Sequence, residues 1–247
     1  MAGLALGSPL AELRGESDSN PDVSLLYDIN GLAKDAPHWF DRVMEFVGEY
    51  GIVLGLALLM VGAWWSVRKR PKDAPSAVAG LVWAPLAAGI ALLANIPIRG
   101  FVERPRPFKD HPGLDVLVAG KNDYSFVSDH ATLTMALAVG VFMASRKYGV
   151  GAIALALLEG FCRVYMGVHY PTDVIGGFAL GTAVALLLAP LAMMLLTPLM
   201  TSVAGSRAAW LVRAGPGGGR AGTRQETAAS PPVPESRRDG RDEDLAA

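Results

Sequence analysis

The stretch Phe161-Cys162-Arg163-Val164-Tyr165-Met166-Gly167-Val168-His169-Tyr170-Pro171-Thr172-Asp173 lies between two long apolar runs and holds the most concentrated chemistry in the chain. Pro171 can open a helix without sacrificing a hydrogen bond, because the first N–H groups of a helix have no intrahelical partner. Asp173 then falls one turn beyond His169. A carboxylate there can accept the proton of one imidazole nitrogen and leave the other free as base or nucleophile. Taken alone, the stretch fits a helix boundary with a solvated charge cluster about as well. Its surroundings decide between the two.

Of the 247 residues 51% are hydrophobic, and the mean hydropathy is +0.33. The apolar residues come in long blocks, which reads as a membrane protein. The expected fold is all-α: a polytopic helical bundle with about five transmembrane helices, at residues 50–66, 77–98, 128–144, 150–164 and 174–195. Trp39, Phe40, Val43, Met44 and Val47 recur at helical spacing just before the first span, predicting an N-terminal interfacial helix that runs into it. Trp64 and Trp65 are interfacial anchors. Residues 1–22 read as a flexible arm without the features of a signal peptide, 23–199 as the membrane domain, and 200–247 as a disordered tail rich in Gly, Pro, Arg and Asp. Gly177 and Gly181 form a small-xxx-small pair that predicts close helix packing.

Five crossings put Arg68-Lys69-Arg70, Arg146-Lys147 and the C-terminal tail on one side, which the positive-inside rule makes cytoplasmic. The N-terminus is then outside. A net charge of -1 gives no field that would draw nucleic acid, and no such partner is expected. Cys162 is the single cysteine, so neither an intramolecular disulfide nor a Cys-rich zinc site can form. No metal-ligand cluster is evident and no cofactor is expected.

This topology brings three polar clusters to the extracytoplasmic ends of spans. The first is Arg99 to Phe108, with Arg99, Arg104 and Arg106 on the side where basic residues are least expected; guanidinium groups there suit an anion such as phosphate. The second is Ser125-Phe126-Val127-Ser128-Asp129-His130-Ala131, in which Ser128 is a natural helix N-cap beside free backbone N–H groups. His130 stands where it can protonate a departing oxygen. The third is the stretch quoted above.

Together, Arg99-x6-Arg106-Pro107, Val127-Ser128-Asp129-His130 and Cys162-Arg163-x5-His169-x3-Asp173 resemble the three-part signature of the type 2 phosphatidic acid phosphatase (PAP2) superfamily. Ser-Asp-His in the second motif and Gly-Val-His-Tyr-Pro-x-Asp-Val in the third look like the bacitracin-resistance type of undecaprenyl-diphosphate phosphatase, as do Asn30-Gly31-Leu32 and Phe46-Val47-Gly48-Glu49-Tyr50. The sequence departs from the superfamily at Arg99 for lysine, Val127 for proline, Asp129 for glycine and Cys162 for serine. A carboxylate at Asp129 should repel phosphate unless it points away or pairs with an arginine.

The resemblance implies a metal-free phosphoryl transfer through a phosphohistidine. His169 is then the nucleophile, Asp173 its orienting partner and His130 the general acid. Arg99, Arg106, Ser128 and Arg163 bind phosphate. Glu159 and Asn95, each one turn before an arginine, are expected to hydrogen-bond Arg163 and Arg99 in support. The implied substrate is a polyprenyl diphosphate lipid at the outer face of the plasma membrane, undecaprenyl diphosphate above all, with recycling of the cell-wall lipid carrier as the consequence. Another lipid phosphate, or a non-catalytic lipid-binding protein, are the rival readings, and oligomeric state is left open. Since His169 must begin neutral and His130 protonated, turnover should show a bell-shaped pH dependence; a rate rising monotonically into alkaline pH speaks against the assignment.

Overall fold

A computed structural model describes residues 20–70, 72–118 and 120–214. It contains nine α-helices among the described residues: α1 (Pro21–Lys34), α2 (His38–Phe46), α3 (Ile52–Val67), α4 (Ala74–Val102), α5 (Pro107–Asp110), α6 (Asp129–Ala144), α7 (Arg146–Tyr165), α8 (Pro171–Leu187) and α9 (Ala189–Ala204). A single π-helical turn, Val47–Gly51, welds α2 to α3, so that His38–Val67 is one rod of 30 residues. The expected interfacial helix therefore runs into the first span without a break.

Helix α6 is central, packed on α4, α7 and α8, while α9 runs along α4. Small residues permit this density. A Cβ at Gly140 would lie 2.5 Å from that of Ala84, and one at Gly177 would lie 2.8 Å from the carbonyl oxygen of Ser128. The stripe of Gly177 and Gly181 thus lets the backbone of α8 touch that of α6. Large apolar side chains including Leu54, Leu58, Val61, Leu93, Ile96 and Leu187 point outward, as lipid-facing positions require. Three helices are long and apolar enough to cross a membrane; the bent pair α8–α9 makes a fourth candidate, and α6 is a shorter apolar helix.

Successive helices alternate in direction, so the end of α4, the starts of α6 and α8 and the end of α7 gather at one end of the bundle. Cross-links fix this end: Asn95 Nδ2 donates to the Val127 carbonyl at 3.0 Å, Ser128 N–H to the Asp173 carbonyl at 3.1 Å, and Asn30 Nδ2 to the Tyr165 carbonyl at 2.8 Å. At the other end Arg70 Nη1 donates to the Ala144 carbonyl at 3.2 Å.

Three boundaries differ from expectation. The fifth span is not one straight helix: α8 and α9 meet at Leu188 with a bend of 52°. Pro190, at the second position of α9, has no N–H to give and its ring displaces the Leu186 carbonyl, which breaks the ladder there. The tail does not begin at residue 200, since α9 continues to Ala204 and residues 205–214 fold back onto the end of α3. There Trp64 Nε1 donates to the Leu211 carbonyl at 2.7 Å, the N–H of Ala214 donates to the Arg68 carbonyl at 2.9 Å, and Val212 is fully buried. The arm ends before residue 21, because Asn20 caps α1 and Asp22 already belongs to the folded end. The remainder of the expected arm and tail, residues 1–19 and 215–247, lies outside the described residues.

A Cβ at Gly181 would sit 2.5 Å from the Thr132 carbonyl oxygen and 3.0 Å from the Ala136 nitrogen, whereas one at Gly89 meets nothing within 4 Å. Gly181→Ala should therefore destabilise the detergent-purified protein by about 1–3 kcal/mol, read as a lowered Tm, while Gly89→Ala leaves Tm unchanged. Equal Tm values for the two variants would show that the α6–α8 contact is not limiting.

Candidate active site

His169 sits in the turn between α7 and α8, 4% exposed. Gly167 makes the turn possible: its φ is +69°, and a Cβ on it would lie 3.0 Å from the Asp115 carbonyl oxygen. One turn on, Asp173 is fully buried and held from two sides. Its Oδ2 accepts the Tyr170 N–H at 2.9 Å, capping α8, and its Oδ1 accepts Arg104 Nη1 at 2.9 Å. Oδ2 also lies 3.6 Å from His169 Nδ1, slightly beyond a normal hydrogen bond. Across the ring, Arg106 Nη1 lies 3.3 Å from His169 Nε2 while donating to the Val168 carbonyl at 3.0 Å. A guanidinium can only donate, so Nε2 carries the lone pair and Nδ1 the proton that faces Asp173. This tautomer follows from the hydrogen-bond pattern.

Arg104, which the sequence motifs do not include, is the clamp behind Asp173. Besides that carboxylate, it donates to Thr172 Oγ1 at 2.7 Å and Asp22 Oδ2 at 2.6 Å, and its guanidinium lies 3.6 Å from the centre of the Tyr170 ring. Asp22 in turn accepts the Thr172 N–H at 2.9 Å. Helix α1 thereby fastens the start of α8.

The second motif meets the first through carboxylates. Asp129, on the first turn of α6, pairs with Arg99 Nη2 and accepts Asn95 Nδ2 at 2.7 Å. Its charge is thus spent on an arginine, which answers the repulsion its presence implied. Asn95 does not reach Arg99 as expected. Asp129 stands between the two, and Asn95 instead holds Asp129 and the Val127 carbonyl, acting on the arginine at one remove. Ser128 is the buried N-cap, its Oγ accepting the Ala131 N–H at 3.5 Å. His130 is half-buried beside it, within electrostatic reach of Arg163, Glu49, Lys121 and His169.

Arg163 is fully enclosed. Its Nε donates to Glu159 Oε1 at 2.7 Å, as the helical spacing predicts, and its Nη1 to Glu49 Oε1 at 2.7 Å; Nη2 donates to the Gly48 carbonyl. Lys121 Nζ also lies 3.3 Å from Glu49 Oε1. Glu49 and Gly48 reach this point from the π-helical turn, whose extra residue re-aims the chain. A Cβ at Gly48 would come within 2.8 Å of the Met166 side chain.

Asp123 completes the ring. Its Oδ1 accepts Arg106 Nε at 3.1 Å and Nη2 at 2.8 Å, and its Oδ2 accepts Arg99 Nη1 at 3.0 Å. The expected phosphate-binding arginines are therefore each matched by protein carboxylates: Arg99 by Asp123 and Asp129, Arg106 by Asp123, Arg163 by Glu49 and Glu159. Burial works to raise the pKa of Asp123, but hydrogen bonding and charge from Arg106, then charge from Arg99, bring it below the ordinary carboxylate value. For His169 burial dominates and lowers the pKa; the nearby Asp173 carboxylate opposes this and the Arg106 charge adds to it. The ring is thus neutral at pH 7. Among the described residues, no group of three or more His, Cys, Asp or Glu side chains is placed to hold a metal ion.

Asp22, Glu49, Lys121 and Asp123 escape the sequence reading of the site, and Arg104 enters it only as one of three clustered arginines, not as the clamp on Asp173. Arg104 lies inside the arginine run, and Glu49 inside a quoted resemblance, but their partners lie far away in sequence and no spacing reveals them.

The family model described as PAP2 superfamily matches residues 77–196. Undecaprenyl-diphosphatase BcrC of Bacillus subtilis is 31% identical over 147 residues, 60% of this chain and 72% of that protein. Decaprenylphosphoryl-5-phosphoribose phosphatase of Mycobacterium tuberculosis is 36% identical over 168 residues, 66% of this chain and 86% of that protein. Phosphatidylglycerophosphatase B of Bacillus subtilis is 32% identical over 156 residues, 58% of this chain and 70% of that protein.

The lowered pKa of His169 sets a direction for stability. Below the ordinary histidine value of 6.5 the unfolded chain binds a proton that the folded site resists, so this contribution is present above pH 6.5 and is lost as pH falls below it. Tm should drop between pH 7.5 and 5.5, and drop less in His169→Gln. Parallel Tm profiles for the two proteins would remove His169 as the source.

Proposed function

This chain belongs to the PAP2 superfamily and is a membrane phosphatase of that family, similar among others to an undecaprenyl-diphosphatase; from that premise we propose that it hydrolyses undecaprenyl diphosphate to undecaprenyl phosphate and inorganic phosphate. The observation that carries the proposal is the His169 ring, whose Nε2 lone pair is directed at Arg106 and whose Nδ1 proton faces a locked Asp173.

In the proposed reaction Nε2 attacks the terminal phosphorus, and the bond from that phosphorus to the bridging oxygen breaks. His130 gives its proton to the bridging oxygen, which leaves on undecaprenyl phosphate. As Nε2 becomes bonded to phosphorus the ring gains positive charge, and Asp173, 3.6 Å from Nδ1, stabilises it. Water then attacks the phosphohistidine with His130, now neutral, taking its proton; the N–P bond breaks and phosphate departs. Arg99 and Arg106 bear the equatorial oxygens, and the first turn of α6 behind Ser128 adds its free N–H groups. Arg163, fully enclosed by Glu49, Glu159 and Gly48, lends its positive charge to the site from behind.

Topology supports a lipid substrate. The site lies at the end of the bundle opposite Arg68, Lys69, Arg70, Arg146 and Lys147, which under the positive-inside rule supports an extracytoplasmic site. Lipid-facing apolar helices rise directly to it, so a phosphate at the interface and a chain in the bilayer can be held together. A second reading draws on the mycobacterial relative, whose 36% identity over 86% of its length favours a prenyl-phosphosugar phosphate as substrate.

The test is phosphate release by the detergent-purified full chain in the presence of a chelator, with undecaprenyl diphosphate, decaprenylphosphoryl-5-phosphoribose and phosphatidylglycerophosphate as competing substrates. Chelator-resistant release, fastest from undecaprenyl diphosphate and lost in His169→Ala, is expected. Preference for another lipid transfers the assignment to it, and release that survives His169→Ala overturns the nucleophile.

A further inference from the structure

Resting on the reading of this site as a phosphoryl-transfer centre, we propose that Asp123 is a built-in competitor for the substrate phosphate. Its carboxylate leaves Arg99 and Arg106 when a phosphoryl group binds, and returns to them when inorganic phosphate departs. Nothing in the three motifs assigns this residue a part.

The geometry is that of an occupied anion site. One carboxylate receives Nε and Nη2 of Arg106, at 3.1 and 2.8 Å, together with Nη1 of Arg99, at 3.0 Å. The third nitrogen of Arg106, Nη1, is the one 3.3 Å from His169 Nε2. A phosphoryl group in reach of that nitrogen draws on the same guanidinium edges, because two parallel N–H donors are what an arginine offers to a carboxylate and to a phosphate alike. Both anions cannot hold them at once.

Asp123 can leave Arg106 only when another anion takes its place, whereas Arg99 keeps Asp129. Arg106 is 3% exposed, and a guanidinium so buried is strongly destabilising without an anion. Asp123 is the mobile member of the pair: its side chain is 45% exposed, against 4% for that of Arg106, so it can swing into water at little desolvation cost. Its stretch of chain is held at both ends and between them, with the Leu117 N–H on the Met166 carbonyl at 3.4 Å, Lys121 on Glu49 at 3.3 Å and Arg106 Nε on the Asp123 carbonyl at 3.2 Å, so the exchange is a rotation of the side chain alone. Asn30 grips Asp115 through both its N–H and its carbonyl, each at 2.8 Å, and the Ser125 N–H donates to the Arg104 carbonyl at 2.8 Å. Between these anchors Gly120 takes the turn at φ +83°, and Lys109 holds the Asn122 carbonyl at 3.2 Å.

Charge then selects the ligand. A singly charged anion gains no more from two guanidiniums than the carboxylate it displaces, whereas the dianionic terminal phosphate of a diphosphate ester gains from both. After hydrolysis the same carboxylate competes with the bound phosphate and favours its release. Asp123 is accordingly a specificity-determining residue for doubly charged phosphoryl groups and an aid to product departure.

The test uses the full chain in detergent and inorganic phosphate as the probe, with binding measured by calorimetry and by the rise in Tm. Asp123→Asn removes the competing charge, so phosphate should bind about tenfold more tightly than to wild type, with a larger rise in Tm and stronger product inhibition. Asp110→Asn, an exposed acidic residue on α5, controls for charge in general and should leave phosphate affinity unchanged. Unchanged or weaker binding in Asp123→Asn, or equal tightening in Asp110→Asn, overturns the proposal. So does an Asp123→Asn protein that fails to fold even in saturating phosphate, since phosphate would then be unable to replace the carboxylate. Tighter phosphate binding without hydrolysis of undecaprenyl diphosphate by wild type leaves this inference standing and removes the substrate assignment; hydrolysis with unchanged phosphate affinity does the reverse.

Discussion

A guanidinium taken out of water needs an anion, and this requirement organises the polar end of the bundle. Arg163 is fully enclosed and Arg106 almost so, and neither has solvent to fall back on. Each is therefore paired at short range: Arg163 with Glu159 and Glu49, Arg106 with Asp123. Glu49 and Asp123 come from other elements, so satisfying the charges also joins α7 to the turn before α3, and the chain just after α4 to the chain that leads into α6. Arg104 does the same for α1 and α8 through Asp22 and Asp173. Fold and site are held by one set of interactions, and a phosphate entering here exchanges places with an internal partner.

Short-range regularities in the sequence carried further than long-range ones. Helical spacing placed Glu159 on Arg163, and the pairing is there at 2.7 Å. The same spacing placed Asn95 on Arg99, yet Asn95 binds Asp129, because a residue brought from α6 offers it a better acceptor. Spacing says which side chains are adjacent on one helix; it does not say what a second helix inserts between them. The small-xxx-small pair Gly177 and Gly181 was readable as a contact, and the contact is with the first turns of α6, which is why Ser128 and Asp173 meet.

Asp123, Glu49, Lys121 and Asp22 were not readable in this way. Each is an ordinary acidic or basic residue in a loop, a turn or the first turn of a helix, and its meaning lies in a partner from another part of the chain. The bend at Leu188 was foreshadowed only by Pro190, which a hydropathy window averages away. Residues 209–214 are apolar enough to dock on α3 but too few to register as an apolar block.

The bracket formed by Asn30 also bears on biosynthesis. Its two longest reaches, to Asp115 and Tyr165, span 85 and 135 residues, and Asp22 meets Thr172 across 150. Helix α1 leaves the ribosome first, but the groups that satisfy its polar side chains are made only after α4 and α7. Arg99, Arg106, Asp123 and Asp129 are all made before α7, but Asp173 arrives last and its clamp, Arg104, has waited since the end of α4. The nascent chain thus carries the carboxylates that match Arg99 and Arg106 before it carries His169, and the clamp on Asp173 is the last part of the polar end to close.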